Sequence, residues 1–251
     1  MKIATYNIWN CEMGMPYRTG CIINEIADVN ADVICLQEVH SKEVAGDIAD
    51  RTGYPYSFFD NYRDSTEGLC ILSNISFDEC ESWLDSANAI YCSFLYNNKS
   101  VSIVNVHLPW DSIAERERQI VDIIAAIGNK KCDHTYMAGD FNCTETSDVH
   151  RFLMGECLLS DKEANPRWYD LALSYAELTD FKVESTLNFR ENPRFSRNTI
   201  ELNSRFDRIL LRNTYPCEFP MLRNCMIFGK TVYKDINLSA SDHYGVMVEV
   251  E

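Results

Sequence analysis

The chain has 251 residues, 46% of them hydrophobic, and carries a formal net charge of −15 from 38 acidic and 23 basic side chains. That balance argues against broad electrostatic binding to duplex nucleic acid or anionic membrane, while leaving room for a local basic patch. No apolar run approaches the roughly 20 residues of a membrane span, so no membrane insertion is expected.

Residues 3–9 read as a first strand. Over 18–30, Ile22, Ile23, Ile26, Ala27 and Val29 recur at helical spacing. Asp32-Val33-Ile34-Cys35-Leu36 reads as a strand buried on both faces, and it ends at Gln37-Glu38. A second helix is expected over 41–52, with Val44, Ala45 and Ile48 as its apolar face. Strands follow at 56–59, 68–73, 89–95 and 101–108, the last two joined as a hairpin by Asn97-Asn98-Lys99. The clearest helix, 112–128, opens after the capping pair Asp111-Ser112.

An apolar run ending in Gly139-Asp140-Phe141-Asn142 forms the next strand, over 135–139. Short helices are expected at 147–156 and 169–178, and strands at 206–211 and 244–250; the polar segment 181–204 resists assignment. Strands and helices intermingle without regular βαβ alternation. The expectation is an α/β fold of mixed, largely antiparallel sheets with helices outside. No Gly/Ser- or Pro-rich linker interrupts it, so one domain over 1–251 is expected.

The eleven cysteines are odd in number and form no CxxC pair. Cys35, Cys70 and Cys92 lie inside apolar runs, as small buried hydrophobes do. Reduced thiols in a cytoplasmic protein fit better than a disulfide framework, and cysteine and histidine never group at zinc-ligand spacing. The start of the chain, Met1 to Asn7, is too short and polar for a secretory segment.

Taken alone, Gly139-Asp140-Phe141-Asn142 is a strand ending in a turn, since these are the usual turn residues. Its chemistry permits more. Period-2 geometry places Asp140 and Asn142 on one side, a proton acceptor beside an amide donor. Other chemistry-capable residues fall at strand ends too: Asn7, Glu38, His107, Asp207 and Asp242-His243. Each has a bland explanation, as a helix cap, a core histidine, a surface ion pair or a turn. Their common placement, converging on one rim of a sheet pair, is what a site on rigid elements requires.

Thr5-Tyr6-Asn7, Leu36-Gln37-Glu38, Val106-His107-Leu108, Gly139-Asp140-Phe141-Asn142, Arg205-Phe206-Asp207-Arg208-Ile209 and Ser241-Asp242-His243 occur in that order across nearly the whole chain. This series resembles the endonuclease/exonuclease/phosphatase family of metal-dependent phosphoesterases. The resemblance implies a four-layer α/β sandwich of two mixed sheets, with the site on one rim. It also implies roles. Glu38 would be the principal ligand of Mg²⁺ or Mn²⁺, with Asn7 and Asp242 contributing directly or through water, as suits a hard cation that keeps several waters. Asp140 would orient and deprotonate the attacking water, and Asn142 would hold a phosphate oxygen. His243, kept protonated by Asp207, and His107 would face the phosphate.

The substrate is less legible. Lys182, Arg190, Arg194, Arg197, Arg205, Arg208 and Arg212 make 181–212 locally basic, with Phe189 and Phe195 interleaved. Arg205, Arg208 and Arg197 are therefore candidate substrate contacts on a phosphate-gripping surface for single-stranded DNA or RNA ends, although a solvated loop explains the charges equally well. Arg205 to Leu210, and His107 followed by Ala114-Glu115-Arg116, look like the branch that releases tyrosine from 5′ DNA ends. Phe141 stands where that branch carries Thr, and Asn7-Ile8-Trp9 departs from its Asn-Ile-Asp-Gly pattern. The same fold could instead serve a phosphomonoesterase or a sphingomyelinase-like lipid phosphodiesterase. An inactive binding module would be expected to lose Glu38, Asp140 or His243, and all three are present.

Overall fold

Unbroken apolar runs become strands covered on both faces, and amphipathic stretches become the helices that cover them. The computed structural model describes residues 1–251. The chain opens with β1 (Lys2–Asn7), α1 (Tyr17–Val29), β2 (Val33–Val39) and α2 (Lys42–Thr52). Five strands follow: β3 (Tyr56–Asn61), β4 (Gly68–Ser73), β5 (Glu79–Ser82), β6 (Ala89–Tyr96) and β7 (Lys99–His107). Then come α3 (Ile113–Gly128), β8 (His134–Asp140), α4 (Asp148–Leu153), β9 (Tyr169–Asp170) and α5 (Leu171–Leu178). The last part holds a 3-10 turn at Pro193–Phe195, β10 (Asp207–Asn213), β11 (Leu222–Phe228), β12 (Val232–Tyr233), β13 (Leu238–Ser239) and β14 (Gly245–Val250).

Two six-stranded sheets result, ordered β11-β14-β1-β2-β4-β3 and β5-β6-β7-β8-β10-β9. In both, one central pair is parallel, β1 with β2 and β7 with β8, and the other pairs are antiparallel. Ile3, Val33, Ile71, Ile90, Ile103 and Ala138 belong to the buried layer between the sheets. Ile22, Ile26 and Ile48 seat α1 and α2 on the outer face of the first sheet. Ile120, Ile123 and Phe152 do the same for α3 and α4 on the second. This is the four-layer sandwich expected from the sequence. Truncating any one of these buried isoleucines to Ala costs about 2–5 kcal/mol.

Five short or edge strands were not anticipated: β5, β9, β11 and the β12–β13 pair. β5 and β11 lie at sheet edges, where only one neighbour selects the sequence and the period-2 pattern weakens. The helix expected at 147–156 stops at Leu153, and Gly155 follows in the left-handed region at φ 76°. The helix expected from 169 begins at Leu171, because Tyr169 and Asp170 pair with Leu211 and Leu210 instead. No helix is long and apolar enough to cross a membrane.

Gly139 shows how closely the second sheet is built around its central strands. Its φ is 151°, and a Cβ there would fall 1.9 Å from the Val106 carbonyl oxygen. Only glycine lets β7 and β8 stay paired one residue before Asp140.

Candidate active site

Register aligns the site before any side chain is considered. His107 on β7 and Asp207 on β10 both pair with Asp140 on β8, one from each side. On the facing sheet, Asn7 ends β1 next to Gln37 on β2, and Glu38 follows. Glu38 takes φ 56°, an unusual conformation for a non-glycine residue that re-aims its side chain toward the rim.

Asn7 joins the two sheets. Its Nδ2 donates to Glu38 Oε1 at 2.9 Å and to Asp140 Oδ2 at 3.1 Å, while its Oδ1 accepts from Trp9 N. Asp140 is 1% exposed. His107 Nε2 lies 3.7 Å from Asp140 Oδ2 and 3.9 Å from Glu38 Oε1. On the other side, His243 Nδ1 lies 2.9 Å from Asp207 Oδ2 and 3.9 Å from Asp140 Oδ2. Burial alone would lower the His243 imidazolium, but Asp207 and Asp140 outweigh it and hold it well above the usual histidine range. With Nδ1 engaged by Asp207, Nε2 remains as the outward donor.

Asn142 lies beyond the end of the strand, not one pleat along it as the periodicity predicts. It takes φ 47°, its backbone N donates to Asp140 Oδ1 at 2.8 Å, and its Nδ2 donates to Leu108 O at 3.0 Å. The turn and the site are therefore the same structure: a local Asx-type bond fixes the Asp140 carboxylate.

Asp140, Asp207 and His243 bring donor atoms within 4.8 Å of one another. That cluster makes a poor chelate, because His243 Nδ1 is already taken by Asp207 and a hard dication prefers oxygen. Glu38 and Asp242 fit better. Burial pushes the Asp242 carboxyl up to about 6; His243 opposes that rise, and the neighbouring Glu38 charge adds to it. Two carboxylates that repel each other suit Mg²⁺ or Mn²⁺, which would relieve that repulsion, whereas Asn7 turns its Nδ2 toward Glu38 and has its Oδ1 taken by Trp9 N.

Two of the expected substrate contacts are turned inward, and the expectation is corrected. Arg205 is buried, bonded to Asp170 at 2.8 and 3.1 Å and to Glu145 at 2.6 Å. Arg208 is buried too, donating to Cys143 O at 2.7 Å. Both guanidiniums are enclosed by the protein and turned away from the surface, so neither is available to a substrate. Arg197 is exposed, but no hydrogen bond or ion pair ties it to the site. The exposed Arg194 instead stacks over the Trp9 ring at 5.2 Å.

Several supporting residues escape a reading of the sequence. Tyr62 OH lies 2.8 Å from His107 Nδ1. Thr186, inside the unassigned segment, accepts from Phe206 N and Asp207 N. Ser241 donates to Asn7 O and accepts from His243 N. Gln37 and Asn105 form a buried amide bridge between the sheets, with Gln37 Nε2 2.7 Å from Asn105 Oδ1. Gln37 and Ser241 stand inside the motifs and Asn105 interrupts an apolar run, whereas Tyr62 and Thr186 left no trace.

The model of the Endonuclease/Exonuclease/phosphatase family matches residues 4–243. The chain belongs to this family. No curated protein matches the sequence. Among solved structures, Danio rerio TDP2 complexed with single-strand DNA product is similar at TM-score 0.78 and 18% identity, covering 100% of this chain and 98% of that one. A functionally unknown conserved protein from Enterococcus faecalis V583 is similar at TM-score 0.75 and 20% identity, covering 100% and 99%. Staphylococcus aureus beta toxin is similar at TM-score 0.69 and 15% identity, covering 100% of both. At such identities these likenesses carry the fold. Membership of the family supports phosphoester hydrolysis.

Proposed function

We propose that this protein hydrolyses phosphodiesters by direct attack of water, with Mg²⁺ or Mn²⁺ as cofactor and single-stranded nucleic-acid ends as substrate. The observation that carries the reading is the buried Asp140 carboxylate, fixed by Asn7 and the Asn142 backbone between two imidazoles. A carboxylate so held can orient water and accept its proton. Asn142, His107 and the protonated His243 supply donors toward the phosphate oxygens. Glu38, bonded to Asn7, and Asp242 would hold the cation, which when bound would offset charge developing on those oxygens. No covalent intermediate is required.

The nucleic-acid preference draws support from the TDP2 complex with a DNA product and from the Trp9–Arg194 pair beside Asp242. An exposed arginine held over a half-buried indole is a sequence-tolerant grip for a phosphate.

The decisive measurement is Mg²⁺-dependent hydrolysis of 5′-phosphodiester oligonucleotides by Asp140→Asn. A loss of about 10²- to 10⁴-fold with the fold unchanged is expected. Near-normal activity would remove Asp140 from the role of base. Turnover of sphingomyelin but not the oligonucleotide would replace the substrate assignment with a lipid one.

A further inference from the structure

A cleft of about 560 Å³ opens on the outer side of Asn142, away from Glu38. It lies between the loop after β7, the loop after β8 and the residue preceding β10. Trp110, Ile113 and Phe206 supply its apolar surface, and Trp110 and Ile113 are 78% and 66% exposed. The Trp110 loop is held in place. Arg116 donates to Pro109 O at 2.8 Å and to Trp110 O at 3.0 Å. A large indole pinned at its backbone but bare on its ring is a surface with no partner within the chain.

The charges around the cleft narrow what it accepts. Glu117 and Asp148 line it against a single Arg116. Asp148 is paired with Arg151 at 3.0 Å, so a phosphate group placed there would meet the Glu117 carboxylate and a guanidinium already engaged with carbonyls. The exposed Arg194 lies instead on the Trp9 side of the site. Asn142 borders the cleft and also anchors Asp140 through its backbone, so a group seated on Trp110 adjoins the reacting phosphate.

We propose that this cleft is the subsite for a planar, uncharged ring joined to the scissile phosphate, stacked on Trp110. The inference rests on the phosphodiesterase reading and deepens it. Phosphates further along a strand are disfavoured in the cleft, so the substrate reaches it as an end. The ring is either a terminal nucleobase or the phenol of an aryl ester, and both are flat and neutral.

Two measurements test this. Methyl 4-nitrophenyl phosphate carries its ring only as a phenol, and thymidine 5′-methyl phosphate only as a base. Trp110→Ala is expected to raise KM for one or both about tenfold or more, with kcat within about threefold and recovery in Trp110→Phe. The ester that responds identifies the ring. Unchanged KM for both overturns the proposal.

Binding is read separately from chemistry in Asp140→Asn, by quenching of tryptophan fluorescence with thymidine 5′-phosphate, phenyl phosphate or phosphorylcholine. Saturable quenching by a ring-bearing ligand, lost when Trp110→Phe is added, supports the subsite. Quenching by phosphorylcholine alone, or none that depends on Trp110, overturns it. If neither ester turns over in the wild type, the phosphodiesterase reading fails and the fluorescence result still decides the cleft.

Discussion

The Tyr62 hydroxyl lies 2.8 Å from His107 Nδ1. Burial, reinforced by Glu67, Glu38 and Asp140, holds the phenol well above its usual range, so it stays protonated. As the donor, it leaves the ring proton on Nε2, the nitrogen that faces Asp140 and Glu38. Tyr62→Phe removes one hydrogen bond and frees the imidazole to turn. Losing about 0.5–1.5 kcal/mol predicts a fall in kcat of about two- to thirteenfold. Steady-state kinetics with unchanged circular dichroism checks it, and an unaltered kcat would show that the tautomer is immaterial.

Glu38 provides the test of the cation. Chelation with EDTA should abolish hydrolysis, and Mg²⁺ should restore it. Mg²⁺ should also raise the melting temperature of the wild type by linkage, without reference to activity. In Glu38→Ala the thermal shift should shrink and the Mg²⁺ needed for half-maximal rate should rise at least about tenfold. A full thermal shift in that variant would place the cation elsewhere.

Asn105 connects the sheets as well as stabilising them. Its Nδ2 donates to Leu36 O and Cys70 O, each at 2.9 Å, and its Oδ1 accepts from Gln37. Asn105→Ala removes the side-chain donor to two buried carbonyls, while Gln37 Nε2 keeps Thr5 Oγ1 and Cys35 O as acceptors, so the loss is about 1–3 kcal/mol for each carbonyl left unsatisfied. The urea midpoint should fall accordingly. Because Asn105 lies two residues before His107, and Gln37 directly before Glu38, kcat should fall too, even for protein that remains folded.

Asp170 accepts from the backbone N of Ala172 and Leu173 at the start of α5 and receives Arg205 and His150. Burial alone would raise its carboxyl, but the His150 bond and the Arg205 and Arg208 charges outweigh burial and hold it well below the usual carboxylate range. A depressed folded value stabilises the protein above the unfolded value, near pH 4, and that stability is lost as pH falls through the folded value. Asp170→Asn should cost about 3–5 kcal/mol at pH 7, because it removes the buried counter-charge of Arg205 and Arg208 and leaves only the partly exposed Glu145 on Arg205. The deficit should be smaller at pH 3. Equal deficits in urea unfolding at both pH values would contradict the ion-pair account.

Much of the layered architecture could be read from apolar runs such as 33–36 and 68–72, because a strand covered on both faces leaves no choice of environment. The strand-end polar residues were legible for a related reason. Asn7, Glu38, His107, Asp140 and Asp207 each interrupt or close such a run, and a polar group there must meet solvent, a partner or a ligand. The arginines of 181–212 were not legible in that way. Period-2 alternation says that Arg205 and Phe206 point to opposite sides. It does not say that Asp170, 35 positions earlier, waits on one of them.

The sequence by itself determined the order of the motifs, the two apolar sheets and the types of side chain available at their ends. Tertiary structure alone decided that Asn7 spans Glu38 and Asp140, that Tyr62 meets His107, and that Arg205 and Arg208 face inward while Arg194 and Trp110 face out. The physical reason is the range of the forces involved. Propensity and periodicity act over a few residues and define strands and their ends. Which polar group is satisfied, and by what, depends on how two sheets and their loops close against each other, and that is written in no local stretch of the chain.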